Sequence, residues 1–349
     1  MAKTASLVFV LYDGIEHSIF EGQVLDPLLK KLGRNKTLTA TLVSFEKKYP
    51  STQKINRLNK LHPRLSLKLF KKTIFLGWPS LALGAWQLKT FLTVLTHYSL
   101  IARGPLAGLI TQRALTSHCM NLTLQARGLL AKEYAFSTTN SSFFTYWLHR
   151  LRTYQLAYWE QEAYTYKATV AFKIQIVSKA LQDYLITTYT LPSKIFTYNQ
   201  HDDTPIAIKP AQRTTLRSAL RTKLKIPSNA YVYVYNGSAK PWQCPTQTII
   251  FFKDQLKKKP NSFLLLLTTD LKIFKNICKQ EKLCLSCYKI ITVSHKNILS
   301  YLCVADEGIL LREQNILNWV SRPTKYLEYK AAGLPVIHNN TIAFVQQEG

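Results

Sequence analysis

The fold is decided by one stretch near the end of the chain, Ser321-Arg-Pro-Thr-Lys-Tyr-Leu-Glu-Tyr-Lys-Ala-Ala-Gly-Leu-Pro-Val-Ile337. Pro323 suits the first turn of a helix, and the serine two residues before it is a candidate cap. Gly333 ends the helix, after which Pro335-Val-Ile337 begins a buried strand. An apolar strand at 308–311 lies upstream, separated from the helix by a polar loop. This order of strand, loop, helix and strand predicts one unit of a parallel α/β sheet.

The same alternation extends through the rest of the chain. In the second half, strands are predicted at 230–235, 263–267, 290–293, 308–311 and 335–337, with helices at 246–258, 271–281, 298–305 and 323–332. In the first half, strands are predicted at 7–11, 38–44, 72–75 and 168–177, with helices at 18–32, 106–115, 143–166 and 179–188 and a long apolar helix within 74–101. We therefore expect an α/β protein with two Rossmann-like, doubly wound parallel sheets that face a cleft between domains.

A polar, proline-broken stretch around 198–213 separates the two halves. It predicts a first domain at 1–200, a linker at 201–213 and a second domain at 214–349. Only a few residues follow the strand at 335–337, so we expect the second domain to lack its last elements, either because the chain is a fragment or because its gene is shortened.

The charge balance points to an anionic partner. Lys and Arg number 46 against 19 Asp and Glu, which gives a formal net charge of +27. A phosphorylated ligand, an anionic membrane surface and nucleic acid are all candidates, and a Lys-rich lineage with a solvated surface is the alternative. The basic residues are spread along the chain without a compact binding motif, so no specific nucleic-acid partner is predicted. A content of 47% hydrophobic and 19% charged residues excludes a disordered chain.

No segment offers about 20 uninterrupted apolar residues, and the apolar run at 7–11 is too short for a signal peptide. The nearest approach to a membrane segment is 74–101, which carries Trp78 and Trp86 but is interrupted by Pro79. It is predicted as a core helix, and a helix docked on a membrane interface is the alternative. We expect a cytoplasmic protein, with the inner face of an anionic membrane as the site of any peripheral contact.

The cysteines predict free thiols rather than a metal site. Cys284-Leu-Ser-Cys287 is a lone CxxC, and a zinc site needs four ligands, usually in two such pairs. His295 is the one nearby candidate for a further ligand. We therefore predict reduced thiols and no bound metal.

The stretch at 312–337 also has the chemistry of a ligand site. The loop that begins at Arg312 and Glu313 follows the carboxyl end of a strand, where open α/β sheets bind ligands. The N–H groups of the next helix carry partial positive charge, which suits a diphosphate, and Lys325 adds a full charge in that turn. Glu328 lies on the same face, placed to accept hydrogen bonds from ribose hydroxyls. The alternative is an ordinary αβ unit in which Lys325 and Glu328 form a surface pair.

These residues resemble a known signature. In family 4 glycosyltransferases, which have the GT-B fold, a helix that carries a Glu and ends Ala-x-Gly-x-Pro-Val-Ile binds the nucleotide sugar. Here the Glu is Glu328 and the ending is Ala331-Ala-Gly-Leu-Pro-Val-Ile337. The common form has another Glu eight positions upstream, where this chain has Val320. The segment Ser321-Arg-Pro-Thr-Lys-Tyr-Leu-Glu-Tyr329 resembles a variant form instead, which leaves Glu313 or nearby backbone amides as candidates for the sugar contact.

Other stretches are similar to the same family. Tyr231-Val-Tyr-Val-Tyr-Asn-Gly-Ser238 with Lys240 resembles the first strand and loop of its nucleotide-binding domain. Tyr12-Asp-Gly-Ile-Glu-His-Ser-Ile-Phe-Glu-Gly-Gln23 resembles the loop and helix start that face the acceptor and the donor phosphates. Arg103-Gly104 and Arg127-Gly128 resemble the family's cleft-facing Arg-Gly pairs. An ordinary turn is the alternative at each of these places.

The resemblance implies two groups of binding residues. The nucleotide-sugar group is Gly237, Ser238, Lys240, Arg312, Glu313, Thr324, Lys325 and Glu328. The acceptor or cleft group is Asp13, Gly14, Ser18, Arg103 and Arg127. Glu313 and His118 are the candidates for a catalytic contact, although a lone histidine is more often structural.

The resemblance further implies a retaining reaction without a bound metal or resident cofactor, the nucleotide sugar being a co-substrate. The acceptor would be a glycan or a lipid-linked molecule. Three alternatives stay open: a nucleotide-sugar-binding protein without transferase activity, an epimerase of the same architecture, and a basic protein that binds nucleic acid or an anionic surface.

Overall fold

The computed structural model describes residues 5–17, 20–73, 77–138, 143–167, 169–198 and 204–348. The chain divides into two compact units, Met1–Asp203 and Thr204–Gly349. Each unit is built on one parallel sheet with helices in its strand connections.

The first unit has a seven-stranded sheet in the order β3-β2-β1-β4-β5-β6-β7. Its strands are β1 Ala5–Leu11, β2 Leu38–Glu46, β3 Leu65–Lys71, β4 Tyr98–Arg103, β5 Cys119–Gln125, β6 Ala171–Ile176 and β7 Phe196–Tyr198. Its helices are α1 Asp26–Arg34, α2 Thr52–Asn59, α3 Trp78–Leu92, α4 Gly104–Ala114, α5 Leu130–Ser137, α6 Phe143–Tyr164 and α7 Lys179–Tyr189, and a π-helical turn, Glu21–Leu25, leads into α1.

Apolar periodicity explains why the π-helical turn and α1 pack on this sheet. Val24, Leu28 and Leu32 recur every four residues, which places them on one helical face, and all three are buried against β1 and β2. The neighbours of β1 are β2 on one side and β4 on the other. The strand order therefore reverses beside β1, which makes the carboxyl ends of β1 and β4 the topological switch point of this sheet.

The second unit has a five-stranded sheet in the order β10-β9-β8-β11-β12. Its strands are β8 Tyr231–Asn236, β9 Ser262–Leu267, β10 Tyr288–Ile291, β11 Glu307–Leu310 and β12 Val336–His338. Its helices are α8 Pro210–Leu224, α9 Pro245–Lys258, α10 Leu271–Gln280, α11 Ile298–Leu302, α12 Ile316–Trp319, α13 Thr324–Ala331 and α14 Ala343–Glu348.

The sheet of the second unit is buried on both faces. Val232 and Val234 pack into one hydrophobic cluster, and Tyr233 and Tyr235 pack into the other, as the two-residue period of a strand requires. A helix also approaches the sheet closely at Gly308, because a Cβ there would lie 2.6 Å from the ring of Tyr329. The reversal of strand order lies between β8 and β11, so the switch point is at their carboxyl ends.

The structure confirms the prediction of two doubly wound parallel sheets and corrects several elements. The strand predicted at 72–75 is wrong at 72–73, because β3 ends at Lys71, and residues 74–75 of that prediction lie outside the described part. The predicted long helix within 74–101 is also wrong. It is α3 followed by strand β4, because His97 adopts a positive φ of 54° and the chain then enters the sheet, where Tyr98 is fully buried.

The stretch predicted as a linker at 201–213 runs into α8. Pro210 occupies the first turn of that helix, where its missing N–H costs nothing. Residues 199–203 lie outside the described part, and the two units divide after Asp203. Within the described residues, no helix has both the length and the hydropathy that crossing a bilayer requires.

Candidate functional site

The switch point of the second unit brings together residues from three elements. Asn236 ends β8 and Gly237 follows it, Arg312 lies two residues beyond β11, and α13 supplies Lys325 and Glu328. These residues come from two separate parts of the sequence and meet at the edge where an open α/β sheet binds ligands.

Gly237 and Lys325 are in close contact. Gly237 has a φ of +150°, and a Cβ built on it would lie 2.5 Å from Nζ of Lys325. The Lys325 ammonium donates a hydrogen bond of 2.9 Å to Oε1 of Gln243 and lies 4.2 Å from the ring centroid of Tyr235. A glycine is needed here because any side chain would occupy the space of the ammonium group.

Lys325 is buried with little compensation for its charge. Lys325 is only 7% exposed. Burial lowers its pKa well below the usual value, the charge of Arg312 lowers it further, and Glu328 acts in the opposite direction. No ion pair joins Lys325 to a carboxylate in the part of the chain that the structure describes.

Arg312 repeats this situation from the other strand. It is also 7% exposed, burial lowers its pKa, and its Nε has no hydrogen-bond partner among the described residues. Asn339 fixes its backbone: it accepts from the Arg312 N–H at 3.1 Å and donates to the Arg312 carbonyl at 2.7 Å. Two buried cations without a carboxylate partner are costly in a folded protein, and an anionic ligand would offset that cost.

Glu328 faces the end of β8. Its Oε2 accepts a hydrogen bond of 2.6 Å from the side-chain amide of Asn236, and burial raises its pKa, while His295 and Lys325 lower it. The next residue of the helix, Tyr329, also contacts this strand end, and its hydroxyl accepts from the Asn236 N–H at 2.9 Å. The Glu328 residue is partly exposed, and one of its carboxylate oxygens is held by the protein.

The side chain of Asn318 holds the loop after β11. The Asn318 side chain donates to the carbonyls of Glu313 at 2.7 Å and Trp242 at 3.2 Å. Ser321 donates to the Asn318 carbonyl, so it does not cap α13 as predicted. Pro323 is the N-cap residue and no side chain caps the helix, which leaves its first turn, beginning at the partly exposed Thr324, available to a ligand.

The loop after β8 is organised by three hydrogen bonds. The Gly237 N–H donates to the Leu267 carbonyl at 3.0 Å, and the Ala239 N–H donates to Oδ2 of Asp270 at 2.7 Å. The Ser238 carbonyl accepts from the Tyr235 hydroxyl at 2.7 Å, and Lys240 is exposed beside Trp242. The amide of Gly237 therefore serves the sheet, and this loop contributes space and side chains to the site.

The sequence reading missed the residues that support the site. Asn236 directly follows the strand predicted at 230–235, and the sequence does not indicate that its side chain faces the ligand edge. Gln243, Asp270 and Asn339 had no such signal, because their partners lie about 30 to 80 positions away. Glu313 is exposed, and its N–H donates to the Trp242 carbonyl.

The switch point of the first unit has a different chemistry. Gly14 has a φ of +88°, and a Cβ there would lie 2.6 Å from Oε2 of Glu46. Glu46 is buried and accepts from the Ile15 N–H at 2.8 Å and from Ser44. Asp13 is exposed, and Arg103, at the end of β4, donates to Gln23 at 2.5 Å. The predicted contact Ser18 lies outside the described residues.

Arg127 and His118 lie at opposite ends of the same strand. Arg127 follows the carboxyl end of β5 and is partly exposed, so it is near the ligand edge. His118 precedes β5 and is exposed at the amino edge, where its carbonyl accepts from the Tyr98 N–H. The structure therefore places His118 away from the carboxyl edge, and we do not include it in the site.

A cavity of about 410 Å³ lies between α5 and α6 in the first unit, lined by Tyr134, Leu148, His149, Leu151, Arg152 and Gln155. The Tyr134 hydroxyl is 2.8 Å from Nδ1 of His149. Burial raises the pKa of Tyr12, and the charge of Arg152 lowers it, so Arg152 lies near the residue that follows β1. The cavity is therefore on the carboxyl side of this sheet.

All six cysteines are free thiols, four of them buried. Cys284 is exposed and its thiol lies 3.0 Å from the Ser286 hydroxyl, which lowers the pKa of that thiol. Across the described residues, no group of three or more His, Cys, Asp and Glu side chains is placed to hold a metal ion.

No protein-family model and no curated protein matches the chain. Among solved structures it is similar to WaaG, a glycosyltransferase involved in lipopolysaccharide biosynthesis (13% identity, TM-score 0.62, covering 98% of this chain and 83% of WaaG). It is also similar to the sucrose-phosphate synthase of Thermosynechococcus elongatus (10%, 0.68, 97% and 82%) and to the UDP-GlcNAc 2-epimerase of Methanocaldococcus jannaschii (9%, 0.52, 95% and 83%).

The chain has the GT-B fold. Its two parallel sheets match the two Rossmann-like domains of these structures over nearly the whole chain.

Proposed function

We propose that the protein is a glycosyltransferase that moves a sugar from a nucleotide-sugar donor to a glycan or lipid-linked acceptor. The observation that carries the proposal is the pair of buried cations, Lys325 and Arg312, at the switch point of the second sheet. A donor diphosphate would supply the negative counter-charge for these two cations. The glycosyltransferases that share this fold imply a nucleotide-sugar site.

The chemistry of the donor site follows from its charges. When the bond between the sugar and the diphosphate breaks, negative charge grows on the departing phosphate. Lys325 and Arg312, with the uncapped first turn of α13, stabilise that charge more strongly in a buried site than in water. Glu328 accepts hydrogen bonds from the ribose hydroxyls, and we assign Lys240 and Ser238 to contacts with the phosphates.

We propose that the reaction retains the anomeric configuration and uses no metal. Support for the second point is that the cations at the leaving group are protein side chains, Lys325 and Arg312. Support for the first is the resemblance of 321–337 to retaining enzymes. Glu313, exposed at the start of the loop after β11, is our candidate for the contact with the transferred sugar.

The acceptor belongs to the first unit in this proposal. Gly14, Asp13, Arg103 and Arg127 lie at or near its carboxyl edge, and the cavity beside α6 is on the same side of the sheet. We assign these groups to acceptor recognition, and residues 1–203 and 204–349 to an acceptor domain and a donor domain.

Binding and product analysis test the proposal in two steps. Titration calorimetry with a panel of nucleoside diphosphate sugars should give saturable, one-site binding for at least one donor. Mass spectrometry with a glycan or lipid-linked acceptor should then show a product heavier by one sugar. Absence of binding to every donor would contradict the proposal.

A second candidate is an epimerase, because an enzyme of that type shares the fold. Its reaction needs no acceptor, so incubation with the donor alone decides between the two. Formation of an epimer without acceptor would favour the epimerase, and donor consumption that depends on acceptor would favour the transferase.

A further inference from the structure

Helix α6 carries an apolar stripe on its solvent side. Large side chains recur at spacings of four, three and four residues, at Trp147, Leu151, Tyr154 and Tyr158, and the adjacent Leu148 extends the stripe. Trp147, Leu148 and Leu151 are 58%, 66% and 65% exposed. With 3.6 residues per turn, these spacings place the four stripe residues within about 60° of one another.

The opposite face of the same helix packs against the first unit. Leu156, Trp159 and Ala163 are buried, and Trp159 contacts Trp78 edge to face at 5.5 Å. A helix with one face in a core normally presents polar residues on the other face. Here the outer face is aromatic and aliphatic, so the fold of this unit does not explain it.

The charges beside the stripe indicate what covers it. From residue 143 to residue 159 the helix contains Arg150 and Arg152 and no acidic residue, and the whole chain carries +27. At the end of the stripe, Glu162 accepts from the Tyr158 hydroxyl and is paired with Arg113. Arg150 lies beside the stripe, 5.6 Å from the ring of Trp147 and 5.8 Å from that of Tyr154. Tryptophan, tyrosine and arginine are the side chains that settle at the level of lipid headgroups.

We propose that the outer face of α6, residues 146–158, docks the protein on the surface of an anionic lipid bilayer. A second copy of the chain fits less well, because it would bring two strongly positive molecules and two copies of Arg150 together. Nucleic acid fits less well too, because Leu148 and Leu151 offer it neither charge nor a stacking surface. The proposal goes beyond the donor reaction, which needs no membrane.

Docking has a consequence for the acceptor, which rests on the proposed function. Leu148 and Leu151 also line the cavity that contains His149 and Arg152. A helix lying in the interface would therefore present this cavity to a lipid-linked acceptor. The sequence favoured 74–101 for any membrane contact. In the structure Trp78 of that segment instead packs on Trp159 and Arg113, although Trp86 is 64% exposed.

Vesicle flotation of the full chain tests the docking. The protein should float with phosphatidylcholine vesicles that contain phosphatidylglycerol and less with phosphatidylcholine alone. The triple variant Trp147→Ser, Leu151→Ser, Tyr154→Ser should reduce the partition coefficient at least about tenfold, since it removes the apolar anchors. Arg150→Gln should reduce it about fivefold, and only on the anionic vesicles.

Two matched controls remove equally exposed apolar side chains elsewhere. Trp86→Ser on α3 and Leu285→Ser in the second unit should leave the partition within about twofold of wild type, in keeping with the confinement of docking to α6. Equal loss in Trp86→Ser, or full binding by the triple variant, would overturn the proposal.

Two further measurements separate the alternatives. Because the substituted residues are exposed, the triple variant should keep its circular dichroism and melting temperature. Size-exclusion chromatography should show the same species for wild type and variant, and conversion of a wild-type dimer into a monomer by the variant would assign the stripe to a second copy instead. Donor binding by calorimetry is read independently, so failure of docking and failure of the donor site are distinguishable.

Discussion

The two sheets of this protein have the same switch-point geometry and opposite local electrostatics. In the second unit, the glycine after the first strand, Gly237, lies against the ammonium group of Lys325. In the first unit, the corresponding glycine, Gly14, lies against the carboxylate of Glu46. Both glycines have positive φ values, which let the backbone approach a buried charged group closely.

The difference lies in whether the charge is already satisfied. Glu46 accepts hydrogen bonds from the Ile15 N–H and the Ser44 hydroxyl, so its role within the unit is to hold the loop. Lys325 has an amide oxygen and an aromatic ring as neighbours, and the nearby Arg312 adds a second buried cation. The buried carboxylate at the first edge is thus satisfied within its own unit, whereas the second edge has two buried cations whose charge a diphosphate would balance.

Lys325→Met should have the largest effect on donor binding at the second edge. It keeps the length and apolar contacts of the side chain and removes one charged hydrogen-bond donor. We expect donor affinity to fall about thirtyfold, corresponding to about 2 kcal/mol for a hydrogen bond to a charged group. Calorimetry measures it, with Lys330→Met, an exposed lysine on the same helix, as the control that should bind normally.

Stability gives an independent check on Lys325. Because its charge is buried without a carboxylate, Lys325→Met should keep or raise the free energy of unfolding. A marked loss of stability in urea would assign Lys325 a structural role.

The pH dependence of stability and of donor affinity should also report on the charge of Lys325. The pKa of Lys325 is lowered in the folded state, so between that pKa and about pH 10.4 the unfolded chain binds more protons. Stability should therefore rise with pH over this window. Donor affinity should fall over the same window, because a neutral amine no longer pairs with phosphate.

Calorimetry and urea unfolding over about pH 6 to pH 10 measure both trends. Lys325→Met should flatten both of them. Parallel trends in wild type, or trends that persist in the variant, would assign the titration to another group.

Gly237→Ala should weaken donor binding about tenfold. The new methyl group would lie against the Lys325 ammonium, and the φ of +150° is one that alanine rarely adopts. Gly33→Ala is the matched control, because a Cβ there meets nothing within 4 Å and the position is helical. A loss of binding in Gly33→Ala would indicate a general response to loss of a glycine.

Glu328→Gln should reduce donor affinity about fivefold, if the carboxylate accepts from the ribose hydroxyls. The substitution is close in shape, and its amide oxygen still accepts from Asn236. In the variant, replacing the ribose of the best-binding donor with deoxyribose should lower the affinity little further. Additive losses would show that Glu328 and the ribose do not interact.

Glu46→Gln should have the smallest effect on the donor. It weakens the contacts to Ile15 and Ser44 and should lower the free energy of unfolding by about 1 kcal/mol. Donor affinity should stay within about twofold of wild type, while turnover with acceptor should fall. A comparable loss of donor affinity would contradict the assignment of the two edges to different ligands.

The sequence by itself determined the α/β class and most of the second unit. Strands such as β9 are apolar over most of their length, here from Phe263 to Leu267, and are bounded by turns, so local patterning fixes them. It also indicated that Lys325 and Glu328 share a helix face, since they are three residues apart. The boundary between α3 and β4 escaped it, because both are apolar and only the turn at His97 separates them.

Only the tertiary structure decided what these residues do. Lys325 is buried against Gly237 and Gln243, and Glu328 faces Asn236, because strand β8 enters the sheet beside β11 about 75 residues before it in sequence. That neighbourhood turns a surface-type pair into a buried cation with a lowered pKa and a separately held carboxylate.

The tertiary structure also decided which of the apolar side chains are exposed. Trp78 and Trp147 are both tryptophans on apolar helices, and the sequence drew attention to Trp78. Trp78 packs on Trp159, whereas Trp147 lies on the side of α6 that faces away from the sheet. Periodicity fixes which residues share a face of a helix, but only the packing of one element on another determines which face is covered.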